Sequence, residues 1–255
     1  MRGLSILAFF LLLSSARGGQ SLQIPHTTAS PKIDAVVDDP AWSAAAVISG
    51  LTISNGPDGA GLEPSTTEIR LLWNENGIFI RFRCRDTKIE TPFQGRDEPH
   101  FQGDAAEVFL DVAGDARSVV ELQVSPANQV FDQKILLDAP PISRNGRLID
   151  QFVMQHFKAF PNWNYEGLQT AAGHIEGGWA AVIALPPEAL GLPKWKPMNV
   201  RANLLRYDWL ESEPGKRSLI AMNWAPVDYG CPHLSPEAMG VLTLMPPGIS
   251  KANGD

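Results

Sequence analysis

Carboxylates gather at the positions where this chain could do chemistry. Asp34, Asp38 and Asp39 fall within KIDAVVDDPAWSAAA, from Lys32 to Ala46, and Asp104 stands three residues before Glu107 in GDAAEVFLDV. Such groups offer hard oxygen donors to a cation, and a pair of carboxylates is the usual apparatus of glycoside hydrolysis. The first set has a competing structural reading. Asp38 or Asp39 before Pro40 fits the cap of a short helical turn with proline at its first position, and Trp42 then anchors it. Five histidines, His26, His100, His156, His174 and His233, show no paired spacing that sets two on one face at metal distance. Cys84 and Cys231 are too far apart for a metal motif, and they leave open either a disulfide or a buried thiol at Cys84. There is no G-x-S-x-G elbow, H-E-x-x-H, P-loop or dinucleotide fingerprint, so the chain is expected not to be an enzyme.

The elements that must position these residues are short strands. The segment STTEIRLLWNENGIFIRFRCRD predicts a hairpin, with strands over 68–73 and 78–86 around a turn at 74–77. Ile78, Ile80, Phe82 and Cys84 alternate with Phe79, Arg81, Arg83 and Arg85, so one face is expected in the core and the other in water. Further strands are predicted over 105–112, 118–126, 128–136, 177–186, 199–208, 218–224 and 239–246, with helical turns only near 40–46 and 186–190. Many short strands with Gly and Pro punctuation argue for an all-β fold, a single antiparallel two-sheet β-sandwich of jelly-roll type. The stretch between Leu137 and Leu168 reads as a long excursion across one end of it.

Charge and termini bound the partners. A formal net charge of -7 with no cluster of Lys and Arg argues against nucleic acid. Residues 1–19 read as a signal peptide, with Arg2 before an apolar run from Leu4 to Leu13 and small residues after it. That run is short for a membrane span and no second one follows, so the expectation is a secreted or periplasmic domain over 20–247 with a flexible tail over 248–255.

Taken in order, Ile33-Asp34, Asp38-Asp39-Pro40-Ala41-Trp42, LLWNENGIFIRFRCRD, GDAAEVFLDV, ELQVSPANQVFD, GGWAAVIALP, VRANLLR, NWAP and MGVLTL resemble the carbohydrate-binding module family 9 domain. The resemblance implies a non-catalytic sandwich that holds the ends of glucan or xylan chains between two aromatic rings, usually with structural calcium. It implies sugar-binding roles for Glu107, Gln123 and Asn203 on one polar face, with Arg206 closing the set. Clamp tryptophans are replaced by Phe101 and, nearest the second position, His233; Val182 stands where the family often has Glu. Other secreted polysaccharide-degrading proteins are the partners this implies. Two alternatives stay open. One is a haem-binding DOMON-type electron-transfer module using Met154, His156, Met222, His233 or Met239, and the other is an accessory sandwich without a ligand. Among the tryptophans, Trp42, Trp179 and Trp224 are expected in the core, Trp73 either way, and Trp163 and Trp195 in loops as exposed rings.

Overall fold

In a computed structural model, which describes residues 19–54, 64–138, 143–144, 147–148, 156–213, 215–226 and 239–248, the alternating apolar positions become the facing sides of two sheets. In chain order the strands are β1 (Ser21–Ile24), β2 (Ala46–Ser49), β3 (Thr52–Ile53), β4 (Thr67–Asn74), β5 (Gly77–Arg85), β6 (Ala105–Asp111), β7 (Ser118–Val124) and β8 (Val130–Leu137), followed by β9 (Ser143–Arg144), β10 (Arg147–Leu148), β11 (Phe157–Phe160), β12 (Gln169–Ile175), β13 (Gly178–Leu185), β14 (Asn199–Glu213), β15 (Lys216–Asn223) and β16 (Gly240–Leu244). Nine form one sheet, in the order β1-β16-β14-β6-β7-β8-β11 with β15 also paired to β14 and β3 to β15; β12-β13-β5-β4-β2 form the second. β1 runs parallel to β16, while β14, β6, β7 and β8 are successively antiparallel. The all-β sandwich expected from the strand pattern is therefore the observed architecture.

Between the sheets lie Ile69, Leu71, Ile78, Ile80, Phe82, Ala181 and Ile183 from one side and Ala106, Val108, Leu122, Val200, Ala202 and Leu204 from the other. Period-two side chains must bury one face, and removing this much apolar surface from water is the main favourable contribution to folding. Gly178 opens β13 where its backbone crosses Cys84: a Cβ there would sit 1.9 Å from the Cys84 carbonyl oxygen. Only glycine permits so close an approach.

One expectation about the second face of β5 is corrected. Phe79 is buried against Trp42, Leu72 and Val182, and Arg81 is buried as well, so water reaches this face only farther along, at Arg83 and Arg85. The cover is the 3-10 turn Pro40–Ala44. Asp39 caps it by accepting the Ala41 N–H at 2.9 Å, Pro40 stands at its first position, and Trp42 inserts as the anchor. The capping reading of KIDAVVDDPAW is the observed one.

The excursion after Leu137 contributes an edge strand, β11, which pairs with β8. Strands β1, β2, β3, β9, β10, β11 and β12 lie outside the predicted set. Each is short or lacks alternation, and each is held by a neighbour rather than by its own pattern. Cys84 is a free, buried thiol, and burial pushes its pKa up to about 12. Cys231, His233, Met154, residues 1–18 of the predicted signal peptide and the tail from residue 249 lie outside the described residues. No helix among the described residues is long and apolar enough to cross a membrane.

Candidate functional site

Three strands put a buried polar network on the outer face of the nine-stranded sheet. Glu107 on β6 lies opposite Gln123 on β7, and Leu205 on β14 is its other neighbour. The Gln123 amide donates to Glu107 Oε1 at 2.8 Å and to Glu121 Oε1 at 2.9 Å, while Gln133 donates to the other Glu121 oxygen at 2.7 Å. Gln123 Oε1 in turn accepts the backbone N–H of Phe101 at 3.0 Å. One amide thus ties two carboxyl groups to the turn that carries Phe101. Around the network, Ala105, Phe109, Val119, Leu205, Tyr207 and Met239 make an apolar surround on the same side of the sheet.

Phe101 sits in the 3-10 turn His100–Gln102 and is 42% exposed. Its carbonyl accepts the Trp209 indole N–H at 2.9 Å, and the Arg217 guanidinium lies 4.5 Å from the centre of the Trp209 ring. The turn closes against Gly103, whose N–H donates to the His100 carbonyl at 2.9 Å. A Cβ on Gly103 would lie 2.5 Å from Pro92 Cδ and 2.8 Å from the Glu90 carbonyl, so glycine sets how near the turn approaches the loop that carries Glu90 and Pro92.

Glu107 Oε2 is buried with no hydrogen-bond partner. Burial, and then the charge of Glu121, push the Glu107 carboxyl well above the usual carboxylate range, although bonds from Tyr207 and Gln123 favour the charged form. An unmet buried oxygen costs about 1–3 kcal/mol.

Asn203 is buried and its amide is spent on main chain: Oδ1 accepts the Ala225 N–H at 2.9 Å and Nδ2 donates to the Ala225 carbonyl at 2.8 Å. It clamps β14 to the segment after β15. The expected grouping of Arg206 with Glu107 is corrected, because alternation along β14 sends it to the opposite side of the strand. There it is fully buried, donating to the Arg85 carbonyl at 2.8 Å and pairing with Asp86 at 3.1 Å and Asp208 at 3.2 Å. His233, the second expected flank, lies outside the described residues.

The carboxylates of Asp86, Asp104 and Asp208 lie within 4.8 Å of one another. As oxygen donors they suit calcium in type. Their geometry is already filled: Arg206 bridges two of them, Ser65 donates to Asp208, and Asp104 accepts the N–H groups of Glu90 at 2.6 Å and Trp209 at 2.8 Å. The cation of this cluster is a guanidinium, so the group does not fit an ion while Arg206 stays in place. Desolvation, and then the charges of Asp86 and Asp208, raise the Asp104 carboxyl to about 7. Asp104 and Glu107, possible partners in a hydrolytic pair, belong to different clusters.

Trp42, Trp179 and Trp224 are core residues as expected, and Trp73 joins them. Trp195 is corrected from exposed loop to core: it is fully buried and its indole N–H donates to the Leu185 carbonyl at 2.8 Å. Trp163 packs partly buried, edge-on to Tyr165 with ring centres 5.7 Å apart. Met222 is a fully buried core side chain, Met239 belongs to the outer-face cluster, and His156 engages Asp138. Sequence reasoning missed Glu121, Gln133, Tyr207 and Trp209. The signal was period two, since Glu121 shares the parity of Gln123, and Tyr207 and Trp209 share that of Asn203.

Residues 33–135 match the family model described as carbohydrate family 9 binding domain-like. This stretch is similar to the family 9 carbohydrate-binding domain. That region spans the Trp42 turn, the β4–β5 hairpin, Phe101, Glu107 and Gln123. No curated protein matches the chain. Among solved structures, a family 9 carbohydrate-binding module from Caldicellulosiruptor kristjanssonii in complex with cellotriose aligns over 92% of this chain and 98% of its own, with a TM-score of 0.62 at 15% identity. A structure of a family 9 module from the same organism in complex with glucose aligns over 91% and 100%, with a TM-score of 0.59 at 16% identity. A Bacteroides uniformis protein aligns over 89% and 100%, with a TM-score of 0.63 at 14% identity. These likenesses show a shared fold over about nine-tenths of the chain, well beyond the matched residues.

Proposed function

We propose that the chain is a non-catalytic carbohydrate-binding module whose site is the outer face of the nine-stranded sheet. The observation that carries this reading is the linkage of an exposed Phe101 ring, through Gln123, to the unmet Glu107 Oε2. A sugar ring presents C–H faces that stack on an aromatic ring and hydroxyls that bond a buried acceptor. The ligand class is a neutral glucan- or xylan-like chain, in keeping with the cellotriose and glucose bound to the family 9 modules of the same fold. Asn203 serves the site by holding β14 in register. Hydrolysis is not part of the reading, because one amide locks the two nearest carboxyls, Glu107 and Glu121, together rather than setting them across a scissile bond. Residues 1–19 act as a signal peptide and direct the domain out of the cytoplasm, where polysaccharides and the proteins that degrade them are its partners.

Calorimetry with cellotriose and xylotriose tests the assignment. Glu107→Ala and Phe101→Ala are expected to weaken binding without unfolding the protein; wild-type affinity in both variants would move the site elsewhere. N-terminal sequencing of the exported protein tests the leader, with a first residue near Gln20 expected.

A further inference from the structure

We propose that a cleft of about 590 Å³ on the outer face of the five-stranded sheet is a second ligand site, and that it takes a carboxylate such as that of a uronic acid residue. The chain is acidic overall, yet the hairpin gathers positive charge here. β5 presents Arg81, Arg83 and Arg85 at alternate positions, and Arg70 on β4 pairs directly across from Arg81.

Four carboxylates, Asp38, Asp39, Glu68 and Glu176, line the same cleft, but they do not pair with the four arginines one for one. Glu68 is held by Arg70 through bonds of 2.7 and 3.2 Å. Asp38 alone serves two arginines, at 2.6 Å from Arg81 and 3.6 Å from Arg83. Asp39 spends both oxygens on the backbone N–H groups of Lys32 and Ala41. Glu176 lines the rim and is exposed, and Arg85 makes no ion pair among the described residues.

The walls add a second, independent sign. Trp42 and Arg81 line the cleft with buried side chains, and neither Trp42 Nε1 nor Arg81 Nε has an acceptor. The unmet buried groups in the cleft are thus both N–H donors, set beside two exposed guanidinium groups. Donors without acceptors call for an acceptor-rich partner, and a planar carboxylate matches the guanidinium fork with two parallel bonds. A volume of this size also leaves room for the ring that carries the carboxylate. Because the cleft belongs to the sheet opposite Glu107, both sites can fill together. The uronic acid class rests on the carbohydrate reading above; the carboxylate does not.

Calorimetry and nitrogen–proton spectra of the protein titrated with methyl glucuronide, methyl glucoside and acetate test this. The glucuronide is expected to bind at least tenfold more tightly than the glucoside and to shift the Trp42 indole N–H resonance. The doubly substituted R83A/R85A protein, altered only at exposed side chains, should lose at least tenfold in glucuronide affinity while binding cellotriose as before. Equal affinity for the two glycosides, an unmoved Trp42 resonance, or full affinity in R83A/R85A would overturn the site. Arginine-dependent binding of acetate in a protein that binds no neutral sugar would uphold the carboxylate site and sink the carbohydrate reading alone.

Discussion

At the scale of single residues, the candidate sugar site depends on how Phe101 and Glu107 divide the work. Phe101 supplies an exposed ring, and Glu107 supplies a buried oxygen with no partner. A phenyl ring is a smaller platform than an indole, and an aromatic contact is worth about 0.5–1.5 kcal/mol beyond burial. Phe101→Trp is therefore expected to raise affinity for cellotriose a few-fold in calorimetry. An unchanged or lower affinity would show that the ring does not lie under the sugar. Glu107 was legible from its place in GDAAEVF, but its pairing with Glu121 was not. That pairing depends on strand register, which two residues on one strand do not reveal.

At the scale of elements, the turn His100–Gln102 and the strand β14 decide what the residues can do. Gly103 lets the turn lie against Pro92 and Glu90. Gly103→Ala is expected to push the turn outward, weaken the bond from the Phe101 N–H to Gln123, and reduce sugar affinity more than it reduces the melting temperature. A loss of stability with affinity intact would contradict this. β14 presents Asn203, Leu205, Tyr207 and Trp209 on one side and Arg206 and Asp208 on the other. Arg206→Ala would leave Asp86 and Asp208 buried without their cation, at a cost of about 3–5 kcal/mol. Calcium is expected to recover part of that loss in melting experiments, while the wild-type protein responds to neither calcium nor a chelator. A strong response by the wild type would assign the cluster to a metal.

At the scale of the whole molecule, buried carboxyls set the pH response. Burial raises Asp104 to about 7 and raises Glu107, Asp132 and Asp208 as well. The folded state then holds protons that the unfolded chain has released, so stability falls as pH climbs from about 4 toward 7. His100 works the other way, since burial lowers it and costs stability on the acid side of its ordinary value. With four raised carboxyls against one histidine, the urea midpoint is expected to be lower at pH 8 than at pH 5. Asp104→Asn should flatten part of that slope; a slope unaltered in the variant would place the titration elsewhere.

Residue order alone dictates the sandwich. Period-two alternation in β4 through β8 and β13 through β16 leaves few ways to bury the apolar faces, and the DDPAW corner closes one sheet through a cap that is local in the chain. Local signals of this kind survive in one dimension because turn chemistry and strand parity involve only near neighbours. Folding in three dimensions settles which carboxyl faces which amide, that Arg206 neutralises Asp86 and Asp208 away from Glu107, that Trp195 is core and Trp209 is not, and that four arginines line one cleft. Each of these depends on register between strands far apart in sequence. A shift of one residue would exchange every inner side chain for an outer one.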